Sequence, residues 1–116
     1  MKILIAGSRS ISDFDLSEYI PSETDLIISG GASGIDTLAE QYADKHKISK
    51  LILRPNYKKY GRGAPLVRNK EMVDLADLVI VVWDGKSRGT KQTIDYTNSI
   101  GKKIILINAI EKGEDL

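Results

Sequence analysis

Ile27-Ile28-Ser29-Gly30-Gly31-Ala32-Ser33-Gly34-Ile35-Asp36 reads as an apolar strand that runs through clustered glycines straight into an amphipathic helix. Beyond Gly34, apolar residues recur at Ile35, Leu38, Ala39, Tyr42 and Ala43, the stripe one helix face turns to a core. Glycines at such a junction let the backbone turn sharply and approach a ligand without a Cβ in the way. The helix behind them opens with free N–H groups and a positive dipole end, which suit an anion. The loop is therefore either a phosphate or carboxylate site or a plain turn. Its spacing matches neither the G-x-G-x-x-G dinucleotide fingerprint nor a Walker A loop, which requires Lys-Ser/Thr after its second glycine.

The same strand–loop–helix unit repeats along the chain. Lys2–Ala6 is a strand, followed by Gly7-Ser8-Arg9 and an expected helix from about Asp13 to Ile20, closed by Pro21. Asp25–Ser29 is the second strand and Lys50–Arg54 the third, with the long helix running to about Lys47 between them. Pro55–Gly63 reads as a loop, and Ala64-Pro65 opens the next helix, where proline suits the first helical position. Leu78–Val82 is the most hydrophobic strand, leading through Trp83-Asp84-Gly85 to a helix that ends near Ile100 with Gly101 behind it. Lys103–Ile107 is the last strand, and residues 108–116 read as a frayed tail.

Five short apolar strands alternating with four helices call for a single-domain, doubly wound, parallel α/β sheet of the Rossmann-like kind. Right-handed crossovers make 3-2-1-4-5 the economical strand order. The switch point then lies between strands one and four, so the loops after strands one, two and four should converge on one crevice.

The 116 residues suffice for one domain, and 41% hydrophobic with 28% charged residues is ordinary for a globular protein. No apolar run approaches the ~20 residues of a membrane span. Met1 leads directly into a strand, and cysteine is absent, so a cytoplasmic protein without disulfides is expected. With a single histidine and no cysteine, no His/Cys metal cluster is available and neither a metal nor a resident cofactor is required. The net charge of +1 is unevenly spread. Arg54, Lys58, Lys59, Arg62, Arg68 and Lys70 sit together without an acid among them, leaving eleven basic against sixteen acidic residues elsewhere. Such a run is either a solvated loop or a local field that attracts a phosphorylated partner. Tyr57 and Tyr60 interleave with those cations, a pattern that fits single-stranded nucleic acid on Lys58, Lys59 and Arg62, and equally a lid or a subunit contact.

Gly7-Ser8-Arg9, Gly30-Gly31-Ala32-x-Gly34-Ile35-Asp36, Pro55-Asn56-Tyr57, Ala64-Pro65-x-x-Arg68-Asn69, Trp83-Asp84-Gly85 and Ser87-x-Gly89-Thr90 together resemble the SLOG superfamily. That group includes the DNA-processing protein DprA, the LOG-type nucleotide phosphoribohydrolases and the YpsA-like proteins, and the likeness is to its small stand-alone bacterial and phage branch. The resemblance implies a Rossmann-like fold, a homodimer and a pocket for nucleotides or nucleotide-derived ligands. LOG-type enzymes carry P-G-G-x-G-T-x-x-E with a catalytic glutamate at its end. Here Thr93 stands at that position and Asp84-Gly85-Lys86-Ser87-Arg88 replaces the leading P-G-G. Threonine does not titrate near neutrality, so a ribohydrolase would have to draw its carboxylate from Asp36 or Asp84.

The residues expected at the ligand are Gly7, Ser8 and Arg9, then Gly30, Gly31, Ala32, Ser33, Gly34 and Asp36, with Arg68, Asn69, Trp83, Ser87, Gly89 and Thr90. Phosphate is expected on the Gly31–Gly34 and Ser87–Thr90 loops. Arg9 either forks onto that phosphate or pairs with an acid such as Asp13. Asp36 either meets a ribose hydroxyl or merely stabilises its helix dipole. Asn69 shares a helical stripe with Val73 and Ala76 and must be hydrogen-bonded if buried, while Arg68 beside it faces phosphate or solvent. Trp83 either packs or stacks on a base.

Overall fold

The computed structural model describes residues 1–109. Five parallel strands form one sheet in the order β3-β2-β1-β4-β5. They are β1 (Lys2–Gly7), β2 (Leu26–Ser29), β3 (Ser49–Ile52), β4 (Leu78–Trp83) and β5 (Ile104–Asn108). The helices are α1 (Ile35–Lys45), the one-turn α2 (Tyr57–Tyr60), α3 (Ala64–Leu75) and α4 (Arg88–Ser99), with a 3-10 turn at Gly61–Gly63. The expected architecture and strand order are both present.

Alternation along the strands builds the two faces. Ile3, Ile5, Ile27, Leu78, Ile80 and Val82 pack beneath α1. Their neighbours Leu4, Ala6, Ile28, Val79 and Val81 pack beneath α3 and α4. A fully buried Ile, Leu or Val contributes about 1.5–3 kcal/mol, so the central strands β1 and β4 anchor the fold. No described helix is long and apolar enough to cross a membrane.

One expected element is missing. No helix forms between Asp13 and Ile20. The Asp15 carboxylate accepts from both the backbone N–H and the hydroxyl of Ser17, a local arrangement that competes with helical hydrogen bonding. Ile11, Phe14, Leu16, Tyr19 and Ile20 still cover the α1 side of the core, as an irregular strap. The expected loop at Pro55–Gly63 instead holds α2 and the 3-10 turn, with the Asn56 side chain accepting from Lys59 N–H. Asn108 belongs to β5 and Ala109 N–H bonds to the Trp83 carbonyl, so the first two residues of the expected frayed tail are paired. The rest of that tail lies outside the described residues.

Candidate functional site

The loops after β1, β2 and β4 do converge at the carboxyl end of the sheet. Buried Ser8 is the knot: its carbonyl accepts from Ile35 N–H at 3.4 Å, and its hydroxyl accepts from Asp84 N–H at 3.0 Å. Ser10 adds a hydroxyl donation to Asp84 Oδ2 at 2.9 Å. Between these loops and α3 lies a cleft of about 470 Å³, at the switch point of the sheet. Arg9, Ser10, Ala32, Asp36, Arg68, Asn69, Asp84, Ser87, Gly89, Thr90 and Thr93 line it, over a floor of Ala6, Gly7, Pro65 and Met72.

Two of the glycines are required by the chain itself. A Cβ on Gly7 would lie 2.4 Å from the Val82 carbonyl and 2.6 Å from Ile35. On Gly34, at φ +76°, it would lie 2.5 Å from the Ser8 carbonyl. These residues let the start of α1 dock on the end of β1. Two donors of the Gly30–Gly34 loop are taken within the protein, while the N–H groups of Ser33 and Gly34 have no acceptor among the described residues. Gly31 N–H bonds to the Ser29 hydroxyl and Ala32 N–H to Asp36 Oδ2. The Asp36 carboxylate thus takes one of the N–H groups of the loop on which a phosphate is expected.

The second helix-opening loop differs. Ser87 caps α4 through Thr90 N–H, and its hydroxyl meets that of Thr90 at 3.0 Å. The N–H groups of Arg88 and Gly89 have no acceptor among the described residues, and a side chain at Gly89 would enter open space. Arg9 forms no ion pair among the described residues, so the expected alternative with Asp13 is not made.

The two candidate catalytic carboxylates have opposite environments. Asp84 accepts from Ser87 N–H at 2.9 Å, Lys86 N–H at 2.8 Å and Ser10, which hold its carboxyl well below the usual carboxylate range. It organises its loop and is a poor proton acceptor. Asp36 is only 8% exposed, and burial pushes its carboxyl up against the opposing pull of Ala32 N–H and Arg68. Because the folded state holds this proton more tightly than the unfolded one, stability falls as pH rises from the unfolded value through the folded one. Asp36→Asn, which keeps an acceptor for Ala32 N–H, should therefore raise the melting temperature at pH 7. The gain should shrink on acidification through that window, and thermal melts from pH 7 to pH 3 check it.

Arg68 is the largest surprise. The side chain expected to face phosphate or solvent is 9% exposed. Its Nη1 donates to the carbonyls of Gly30 at 2.8 Å and Leu53 at 3.1 Å, and its Nε donates to Asn69 Oδ1 at 2.9 Å. Asn69 passes the chain on, donating from Nδ2 to Gln92 Oε1 at 3.3 Å. One guanidinium thereby ties the loops after β2 and β3 to α3 and α4. Trp83 is half-buried against the α3–α4 side of the core, with its indole N–H on the Ser87 carbonyl, and does not line the cleft. Ala6, Ser10, Pro65, Met72 and Thr93 line the cleft without being among the residues expected at the ligand; Pro65 and Thr93 had a signal, Pro65 in the Ala64-Pro65-x-x-Arg68-Asn69 motif and Thr93 at the position of the LOG-type glutamate.

Comparison of the chain with protein-family models, curated proteins and solved structures finds no match.

Lys58, Lys59 and Arg62 lie outside the cleft, on exposed α2 and the 3-10 turn, with Lys59 Nζ 5.2 Å from the Tyr60 ring centre. A second hollow, about 640 Å³, lies near the Tyr42–His46 stack and presents no buried charged side chain.

Proposed function

We propose that this protein binds a nucleotide or nucleotide-derived phosphorylated ligand in the cleft, as a SLOG-like sensor or low-activity nucleotide-processing protein. The observation that carries the reading is the convergence of Arg9, without an ion pair among the described residues, with the open α4 N-terminus at a switch-point cleft. The phosphate belongs on Arg88 N–H, Gly89 N–H, Thr90 and Arg9. The Gly30–Gly34 loop supports the opposite end of the ligand, since its donors are partly taken and Asp36 would repel an anion.

The ribohydrolase reading is weaker. Thr93 does line the cleft where that chemistry would place a glutamate, but its hydroxyl is bonded to the Gly89 carbonyl at 3.2 Å. Any turnover falls to Asp36, the cleft carboxylate with an oxygen left over to accept a proton from water.

A thermal-shift and calorimetry panel of nucleoside mono- and diphosphates, cyclic nucleotides, ADP-ribose and short oligonucleotides tests the proposal. A ligand at a hundred times its Kd stabilises by about 2.7 kcal/mol. Gly89→Val should weaken a small-nucleotide hit roughly tenfold or more by blocking the phosphate, without lowering stability by more than about 1 kcal/mol. Silence from every small nucleotide removes the reading. Binding of oligonucleotides alone, lost in the Lys58/Lys59/Arg62 triple alanine variant, transfers the function to single-stranded nucleic acid.

A further inference from the structure

Asp36 and Arg68 are both at least nine-tenths buried, both line the cleft, and neither is saturated. Asp36 Oδ2 takes Ala32 N–H, while Oδ1 has no partner among the described residues. Arg68 Nη1 and Nε are committed to three oxygens, while Nη2 has no partner among them. No fully buried side-chain nitrogen or oxygen lacks a partner among the described residues, so these two free atoms keep some exposure, and both residues line the cleft. The groups do not close on each other, since no ion pair within 4.0 Å joins them. Gly30 lies beside the committed atom of each: a Cβ there would be 3.0 Å from Arg68 Nη1 and 3.0 Å from Asp36 Oδ2.

A fixed acceptor beside a fixed donor, held apart in a poorly solvated recess, complements a planar group that carries a donor next to an acceptor. The Watson–Crick edge of a nucleobase has that pattern, as does a carboxamide. A phosphate does not, because it offers acceptors alone and would face Asp36. We infer that the Asp36–Arg68 pair over Gly30 is a recognition subsite for the donor–acceptor edge of the ligand's base. The inference rests on the nucleotide reading above and gives the ligand a direction: base edge at α1, phosphate at α4. Arg68 serves two ends at once, with Nη1 and Nε fixing the loops and Nη2 reading the ligand. A buried pair of this kind discriminates strongly, because an analogue without the edge leaves a carboxylate and a guanidinium desolvated and unpaired.

Calorimetric titration decides it. The probes are the four common nucleoside 5′-monophosphates, nicotinamide mononucleotide, ribose 5-phosphate, and the best binder methylated on its Watson–Crick edge. The native protein should bind the best mononucleotide roughly tenfold or more tighter than its edge-methylated form and than ribose 5-phosphate. A best binder among the four common nucleotides assigns the edge to a base, whereas nicotinamide mononucleotide as best binder assigns it to a carboxamide. Asp36→Asn turns the free acceptor into a donor and should erase most of that discrimination, bringing the mononucleotide and its edge-methylated form to similar affinities. Gly30→Ala, which adds a Cβ beside both groups, should do the same; circular dichroism confirms that each variant folds. Equal binding of mononucleotide and ribose 5-phosphate overturns the subsite and leaves the phosphate end standing. Absence of binding by all probes overturns both.

Discussion

Arg68→Met lowers the unfolding free energy by about 3–5 kcal/mol, measured by urea denaturation at pH 7. Methionine keeps most of the side-chain volume, so the loss isolates the hydrogen bonds. Without the guanidinium, the Gly30 and Leu53 carbonyls and Asn69 Oδ1 lose their donor in a site 9% exposed. Each buried acceptor left unsatisfied costs about 1–3 kcal/mol, and relaxation or water recovers part of the sum. Asp36 also loses the cation that opposes its desolvation. Against a typical domain stability of about 5–15 kcal/mol, the variant is marginal at best. A loss below about 1 kcal/mol would mean that Arg68 is not the tie between the four segments. Arg68→Lys rescues little, because an ammonium cannot reproduce the planar fork that reaches Gly30, Leu53 and Asn69 together.

The second large effect is expected at Gly34. Alanine there adds a Cβ about to collide with the carbonyls of Ser8 at 2.5 Å and Arg9 at 2.6 Å, on a backbone at φ 76° and ψ −128° that only glycine adopts readily. Both obstacles are backbone, so no rotamer change relieves them. The start of α1 must lift from the end of β1, and Ile35, fully buried, moves with it. The expected loss is about 4 kcal/mol or more, read as failure to fold or a collapse of the chemical-denaturation midpoint. Gly89→Ala is the control. Its Cβ meets nothing within 4 Å among the described residues, and alanine in the first turn of α4 should stabilise by about 0.4–1 kcal/mol. Two glycines in similar strand–loop–helix settings thus give effects of opposite sign. A Gly34→Ala protein as stable as its parent would contradict the docking of the two loops.

These outcomes separate what the glycine-rich stretch announces from what it conceals. The run Ile27–Asp36 declares a close approach after a buried strand, and the structure contains one. It does not declare what approaches. At Gly7 and Gly34 the approaching group is the protein's own backbone, whereas at Gly89 it is open space. At the second helix-opening loop the N–H groups of Arg88 and Gly89 stay open among the described residues, whereas in the first Ser29 and Asp36 take those of Gly31 and Ala32.

Alternation in Leu78–Val82 and Lys2–Ala6, the stripe of α1 and the handedness of parallel crossovers sufficed for a five-stranded sheet and its order. Those signals are local and periodic, so they survive in a linear string. The missing first helix shows the limit even of local signals, since one Asp15–Ser17 arrangement outweighs a weak helical pattern. The roles of Arg68, Asp36 and Asp84 were undecided in the string for a different reason. Arg68 finds its acceptor at Gly30, 38 residues away, and Asp84 meets Ser8 across 76. Burial, hydrogen-bond partners and the carboxyl shifts that follow from them are set by what the sheet brings together, and only the folded chain makes one aspartate a loop organiser and the other an open acceptor in the cleft.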